Sequence, residues 1–259
     1  MPYPNPAMDY GIKNQVALVT GGAGEGLGRA QAMALAAEGA KVAVLDLAPC
    51  DETVGLITAA GGTAKGFRAD ISKMVEVQDV VAKISQELGP VSILVNNASI
   101  LTTVGMFADI PLEKWNRDVE VNLMGTANVT RAVWPIMVKN NWGRVIMISS
   151  VAGLNGGAGQ TSYSATKASL VGLGKSLALE GARYNITVNI IAPGVIKSKM
   201  AMQGIRGDML ERMQKATAMR RFGEPREIAD TAAYLCSRAA SYITGQVLAV
   251  DGGLGLFVF

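Results

Sequence analysis

Seven short apolar runs recur along the chain, at Val16–Thr20, Lys41–Asp46, Ala64–Arg68, Val91–Asn96, Arg144–Ser149, Ile186–Ile191 and Gln246–Val250. Between them lie stretches with apolar residues at helical spacing: Leu27–Glu38, Asp51–Ala60, Met74–Leu88, Leu112–Asn140, Ser162–Ala182, Asp208–Thr217 and Pro225–Arg238. Strands buried on both faces of a parallel sheet read as continuous apolar runs. Alternation with helices implies right-handed crossovers that cover both faces. The pattern predicts one doubly wound α/β domain with a mostly parallel seven-stranded sheet. No composition break or internal repeat divides it, so residues 14–259 read as a single domain behind a loose extension over 1–13.

Composition narrows the chemistry. The 259 residues include no histidine and only two cysteines, Cys50 and Cys236. Imidazole bases, imidazole-activated nucleophiles and thiolate zinc sites are thereby excluded, and no metal site is expected. Two cysteines make no disulfide framework, which suits a reducing cytoplasm. The net charge of +3 comes without a Lys/Arg-rich run, so no nucleic-acid partner is expected. Leu88–Ala108 and Val145–Thr166 run uncharged for membrane-like lengths, but Gly, Asn, Ser and Thr break both. No membrane association is expected.

The first strand is followed by Thr20-Gly21-Gly22-Ala23-Gly24-Glu25-Gly26-Leu27-Gly28 and then a helix. Glycines at such a turn let the backbone approach a pyrophosphate at the positive helix N-terminus, as in a Rossmann-type dinucleotide site. Asp46 ends the second strand, 18 residues beyond Gly28. A carboxylate there can accept the hydroxyls of an adenine ribose and repel a 2′-phosphate, and the loop holds no Arg or Lys to favour one. The cofactor expected is NAD. The competing reading makes Asp46 a polar strand end.

Ser149-Ser150 closes the fifth strand, and Tyr163 and Lys167 share one face of the helix that follows. A phenol with a pKa of about 10 is a poor base near neutrality. A nearby ammonium stabilises the phenolate, so Lys167 is expected to depress the pKa of Tyr163. Tyr163 could then exchange a proton with a carbonyl or alcohol oxygen that Ser150 holds in place. Alone, Tyr163 and Lys167 would be an ordinary amphipathic pair; beside the glycine loop they are more.

These motifs, with Asp70-Ile71, Asn96-Asn97-Ala98, Asn122 in Val121–Gly125, Pro193-Gly194, Thr244-Gly245-Gln246 and Asp251-Gly252-Gly253, resemble the short-chain dehydrogenase/reductase family over about residues 14–253. The resemblance implies catalytic Asn122, Ser150, Tyr163 and Lys167. Ser150 is preferred to Ser149 because it lies thirteen residues before Tyr163, the family's interval. Asn122 would anchor a water linking Lys167 to solvent, and Lys167 would also bind the nicotinamide ribose. Gly21, Gly26, Leu27 and Gly28 would hold the pyrophosphate, and Asp70 and Ile71 the adenine. Asn97, Pro193, Ile196 and Ser198 would complete the cofactor site, with Ile196 at the carboxamide. Three departures stand out: four residues separate Gly21 from Gly26 where three are usual, Ser99 replaces a glycine, and Ser198 a threonine. The extra loop residue is expected to bulge outward.

The resemblance places substrate choice in a lid over about residues 197–221. That segment holds seven basic residues, two acidic ones and five of the thirteen methionines. Methionines suit an apolar substrate, cyclic or aromatic, and the basic excess suits an anionic handle. The competing reading is core packing and a solvated helix face. The function expected is NAD-dependent interconversion of a secondary alcohol and a ketone. The alternatives are a 3-hydroxyacyl-CoA-type dehydrogenase and a non-catalytic subunit. Trp115, Trp134 and Trp142 are assigned to packing. A homotetramer is implied by the resemblance, and the apolar tail Leu254–Phe259 agrees with an interface.

Overall fold

The computed structural model describes residues 10–197 and 207–256, with side chains in the second stretch from residue 210. Its seven strands are β1 (Val16–Thr20), β2 (Lys41–Asp46), β3 (Thr63–Arg68), β4 (Val91–Asn96), β5 (Gly143–Ile148), β6 (Ile186–Pro193) and β7 (Val247–Val250). They form one sheet in the order β3-β2-β1-β4-β5-β6-β7, every neighbouring pair parallel. Every residue of β1, β4, β5 and β6 is buried, which is why these strands read as unbroken apolar runs. The edge strands differ. Only Phe67 of β3 is buried, and β7 leaves Leu248 43% exposed.

The main helices are α1 (Leu27–Ala37), α2 (Asp51–Ala59), α3 (Met74–Glu87), α4 (Leu112–Asp118), α5 (Thr126–Asn140), α6 (Val151–Asn155), α7 (Thr161–Gly181), α8 (Gly207–Ala216) and α9 (Pro225–Cys236). Strand alternation splits the core into two layers. Leu18 and Leu94 join Val81 of α3, Val133 of α5 and Leu170 of α7 on one face. Val19 and Val95 join Leu35 of α1 and Ile228 of α9 on the other.

Three expectations change. The helix expected over Leu112–Asn140 is interrupted by a π-helical turn, Val119–Gly125, where the amide of Asn122 leaves the helix to bind the backbone of Ile100. The short α6 carries no periodic signal; Ser150 starts it by accepting the Ala152 N–H. Finally, the end of the supposed loose extension is packed: Ile12 is fully buried and Tyr10 accepts the Arg238 N–H.

Candidate active site

The chain winds outward from β1 to β3, then returns to lay β4 against the other side of β1. Loops after β1 and β4 therefore diverge and leave a crevice at the carboxyl ends of the strands, where ligands bind in such sheets. A cleft of about 540 Å³ opens there. It is lined by Gly21, Gly26, Leu27, Gly28, Asp46, Asp70, Ile71, Asn97 and Tyr163, nine of the residues singled out from sequence.

The glycines are required by close approach. Gly21 has φ +69°, and a Cβ on Gly28 would lie 2.1 Å from the Gly21 carbonyl oxygen. Asn97 ties the β4 loop to the glycine loop by donating to the carbonyls of Thr20 and Gly21. Gly26 precedes α1 without a capping side chain, so the N–H groups of the first turn are available to a pyrophosphate. The cradle and the cleft fit a dinucleotide.

The four residues between Gly21 and Gly26 divide into a buried pair and an exposed pair. Ala23 is buried, and the exposed tip is Gly24-Glu25. The Ala23 N–H donates to Oδ2 of Asp46 at 3.0 Å, and the Ala48 N–H donates to Oδ1 at 3.1 Å. Each oxygen keeps a further lone pair for a ribose hydroxyl. At the adenine end, burial works to raise the Asp70 carboxyl. Hydrogen bonds from Ser72 and pairing with Arg117 outweigh it and hold the group below the usual carboxylate range.

Tyr163, one turn before Lys167 on α7, lines the cleft, with Ser150 near enough to favour its phenolate. Ser149, the other candidate, is buried and donates to the Lys167 carbonyl. Lys167 is buried too; its Nζ donates to the Ile148 carbonyl at 2.8 Å and lies 5.6 Å from the Tyr163 ring centre. Burial lowers its pKa to about 7. The expected depression of Tyr163 is not what this arrangement gives. Burial pushes the phenol above its ordinary value, and only Ser150 opposes it; burial also disfavours the charged form of Lys167. Asn122 is fully buried, its amide binding Ile100 and Thr166 and its carbonyl accepting the Thr126 hydroxyl.

Asn122, Ser150, Lys167, Pro193 and Ile196 are not among the cleft-lining residues. Pro193 ends β6, and Ile196 bridges Gly223 through the peptide groups of its neighbours, leaving its own N–H and C=O outside that pairing. Ser198 lies outside the described residues. Sequence reasoning missed Glu25, Arg117 and Gly153. An acid at the tip of a glycine loop was a usable signal for Glu25. Arg117 meets Asp70 across 47 residues of sequence, and nothing local announces that. A Cβ on Gly153 would come within 2.7 Å of the Lys167 backbone, so this glycine lets α6 press on α7 at the lysine.

The basic segment is less free than its charge suggested. Lys197 pairs with Glu224, Lys215 with Glu211, and Arg221 with Glu227 through two hydrogen bonds. Lys199, Arg206, Met200 and Met202 lie outside the described residues, as does the side chain of Met209. Of the tryptophans, Trp134 packs on the core and Trp142 beneath Arg144, but Trp115 stacks edge-on against exposed Phe107. Among the described residues no cluster of acids and cysteines could hold a metal, and no helix is long and apolar enough to cross a membrane.

Fold and cleft together define a dinucleotide-binding α/β oxidoreductase. The family described as enoyl-(acyl carrier protein) reductase matches residues 22–255. The chain belongs to the short-chain dehydrogenase/reductase family, whose members use a nicotinamide cofactor. It is 42% identical over 246 residues to nodulation protein G of Azospirillum brasilense, covering 94% of this chain and 99% of that one. It is 40% identical to an acetoacetyl-CoA reductase of a Synechocystis strain, covering 95% and 98%. The 3-oxoacyl-[acyl-carrier-protein] reductase of Escherichia coli is also 40% identical, with 94% and 98% covered. Among solved structures, a provisionally assigned gluconate dehydrogenase of Agrobacterium tumefaciens superposes with a TM-score of 0.93 at 28% identity, covering 97% of this chain and all of that one.

Proposed function

We propose that this protein is an NAD(H)-dependent enzyme interconverting a ketone and a secondary alcohol, with Tyr163 as the proton-exchanging group. The observation that carries the reading is the place of Tyr163 in the wall of the cleft that the glycine loop also lines, with buried Lys167 one turn on at 5.6 Å from its ring centre. Bound nicotinamide supplies or accepts the hydride. Tyr163, a phenol protonated at neutral pH and held above its ordinary pKa by burial, gives its proton to the carbonyl oxygen. Ser150 holds that oxygen by a second hydrogen bond. Lys167 serves as a neighbouring proton-exchanging group near neutrality and reaches the nicotinamide ribose. Asn122 shapes the π-helical turn behind Lys167 and would anchor the water through which that lysine reaches solvent. A proton-loaded Tyr163 suits the reducing direction.

The preference for NAD rests on the Asp46 carboxylate at the end of β2, with a second acid, Glu25, also lining the cleft. A 2′-phosphate would meet like charge there. Gly21, Gly26, Leu27 and Gly28 hold the pyrophosphate, Asp70 and Ile71 the adenine, and Asn97, Pro193, Ile196 and Ser198 the nicotinamide half. The enzyme works in the cytoplasm as a homotetramer.

A narrower reading makes the ketone a 3-oxoacyl thioester. Similarity to two relatives, an acetoacetyl-CoA reductase and a 3-oxoacyl-[acyl-carrier-protein] reductase, favours it. The paired state of Lys197, Lys215 and Arg221 weakens the case for a basic grip on an anionic handle. The test compares acetoacetyl-CoA with an ester of acetoacetate, each with NADH and NADPH. NADH is expected to be the better reductant, and preference for the CoA substrate supports the thioester reading. Equal use of both substrates removes that reading, and preference for NADPH removes the cofactor assignment.

A further inference from the structure

The acid that would read the ribose is itself held by the lengthened loop, and a second set of side chains holds the loop. Thr53, fully buried in the first turn of α2, donates its hydroxyl to the Gly22 carbonyl at 2.7 Å, with the Ala23 carbonyl at 3.2 Å. Arg29 of α1 donates Nε–H to that same hydroxyl oxygen at 3.1 Å and Nη2–H to the Ala23 carbonyl at 2.9 Å. Glu52 grips the guanidinium with both carboxylate oxygens, at 2.8 and 2.7 Å. The chain of donors has one direction, from Arg29 through Thr53 to the Gly22 carbonyl. Its end point is the peptide whose N–H fixes Oδ2 of Asp46.

A loop of glycines has little conformational preference of its own. With one residue more than its family uses, it has more arrangements to choose from. Four hydrogen bonds converging on Gly22 and Ala23 remove that freedom. Resting on the assignment of Asp46 to the ribose, we infer that Thr53 and Arg29, braced by Glu52, are positioning residues for cofactor choice. They fix the Ala23 peptide, which fixes the Asp46 carboxylate facing the place of the 2′ group. Loop and acid discriminate as one unit. Neither Thr53 nor Arg29 is required to touch the dinucleotide.

Thr53→Val keeps the shape and removes the hydroxyl; Thr53→Ser restores it. Dissociation constants for NAD and NADP, measured by calorimetry on the full chain, give a discrimination ratio that needs no substrate. The inference predicts that Thr53→Val reduces the ratio at least fivefold and that Thr53→Ser returns it to within twofold of the parent. It also predicts that Thr53→Val has no further effect on the ratio when Asp46 is already alanine. A thermal midpoint for each variant, without cofactor, records any general loss of stability. If Asp46→Ala changes the ratio and Thr53→Val leaves it within twofold, the hydrogen-bond chain is only a brace for the fold and the inference is wrong. If Asp46→Ala itself leaves the ratio unchanged, the ribose assignment fails, and the inference fails with it.

Discussion

Lys167 carries the most information about how this site works. This lysine, buried and bonded to a backbone carbonyl, is held near pKa 7 rather than at its ordinary value of 10.5. The sign of the consequence follows from linkage. Between about pH 7 and 10.5 the unfolded chain binds a proton at this residue that the folded chain has released. Burial of Lys167 therefore penalises folding fully below pH 7, and the penalty fades as pH rises to 10.5. Denaturant unfolding of the parent and of Lys167→Met is expected to show a stability difference that moves in the parent's favour from pH 7 to pH 9. A difference independent of pH would mean that the lysine is ordinarily hydrated. Burial also holds the Tyr163 phenol above its ordinary value, so phenol and amine are both tuned by desolvation.

At the scale of elements, α6 and the π-helical turn bring the catalytic candidates together. Ser150 caps α6, and α6 lies on α7 at Lys167 because Gly153 offers no Cβ. Gly153→Val would drive a branched side chain into the Lys167 backbone. The expected cost is about 1–3 kcal/mol of stability, with a loss of activity larger than the fall in folded fraction. Calorimetric unfolding beside turnover checks it; unchanged activity in a destabilised protein would detach α6 from the site. These elements also mark where sequence reading stopped. Strands β1, β4, β5 and β6 were legible because burial on both faces leaves an unbroken apolar run. The π turn was not, because its cause is one amide reaching the backbone of Ile100, 22 residues away. The inward set of Ala23 escaped for a like reason: its partners Arg29, Asp46 and Thr53 lie on three different elements. Motif spacing singled out Ser150, Tyr163 and Lys167 as candidates, but the pKa direction of Tyr163 depends on burial, which spacing does not encode.

Over the whole molecule, crossing back from β3 to β4 creates the crevice, and the glycine loop, Asp46, Asp70, Asn97 and Tyr163 line it. The opposite requirement falls on the sheet's free edge. Among the described residues no strand pairs with the outer side of β7; Leu248 is partly exposed there, and Tyr242, before the strand, is fully exposed. A second copy of the chain would cover that edge. Light scattering is expected to give four times the 27.1 kDa chain mass; a single-chain mass would remove the tetramer. The central claim, that Tyr163 exchanges the proton in a cleft that separately holds the cofactor, is tested most directly by Tyr163→Phe. The measurement is its rate of NADH oxidation with the best ketone of a panel, set beside the cofactor's dissociation constant. The predicted result is a rate reduced by about a hundredfold or more with the dissociation constant within twofold of the parent. A rate within tenfold of the parent would contradict the claim.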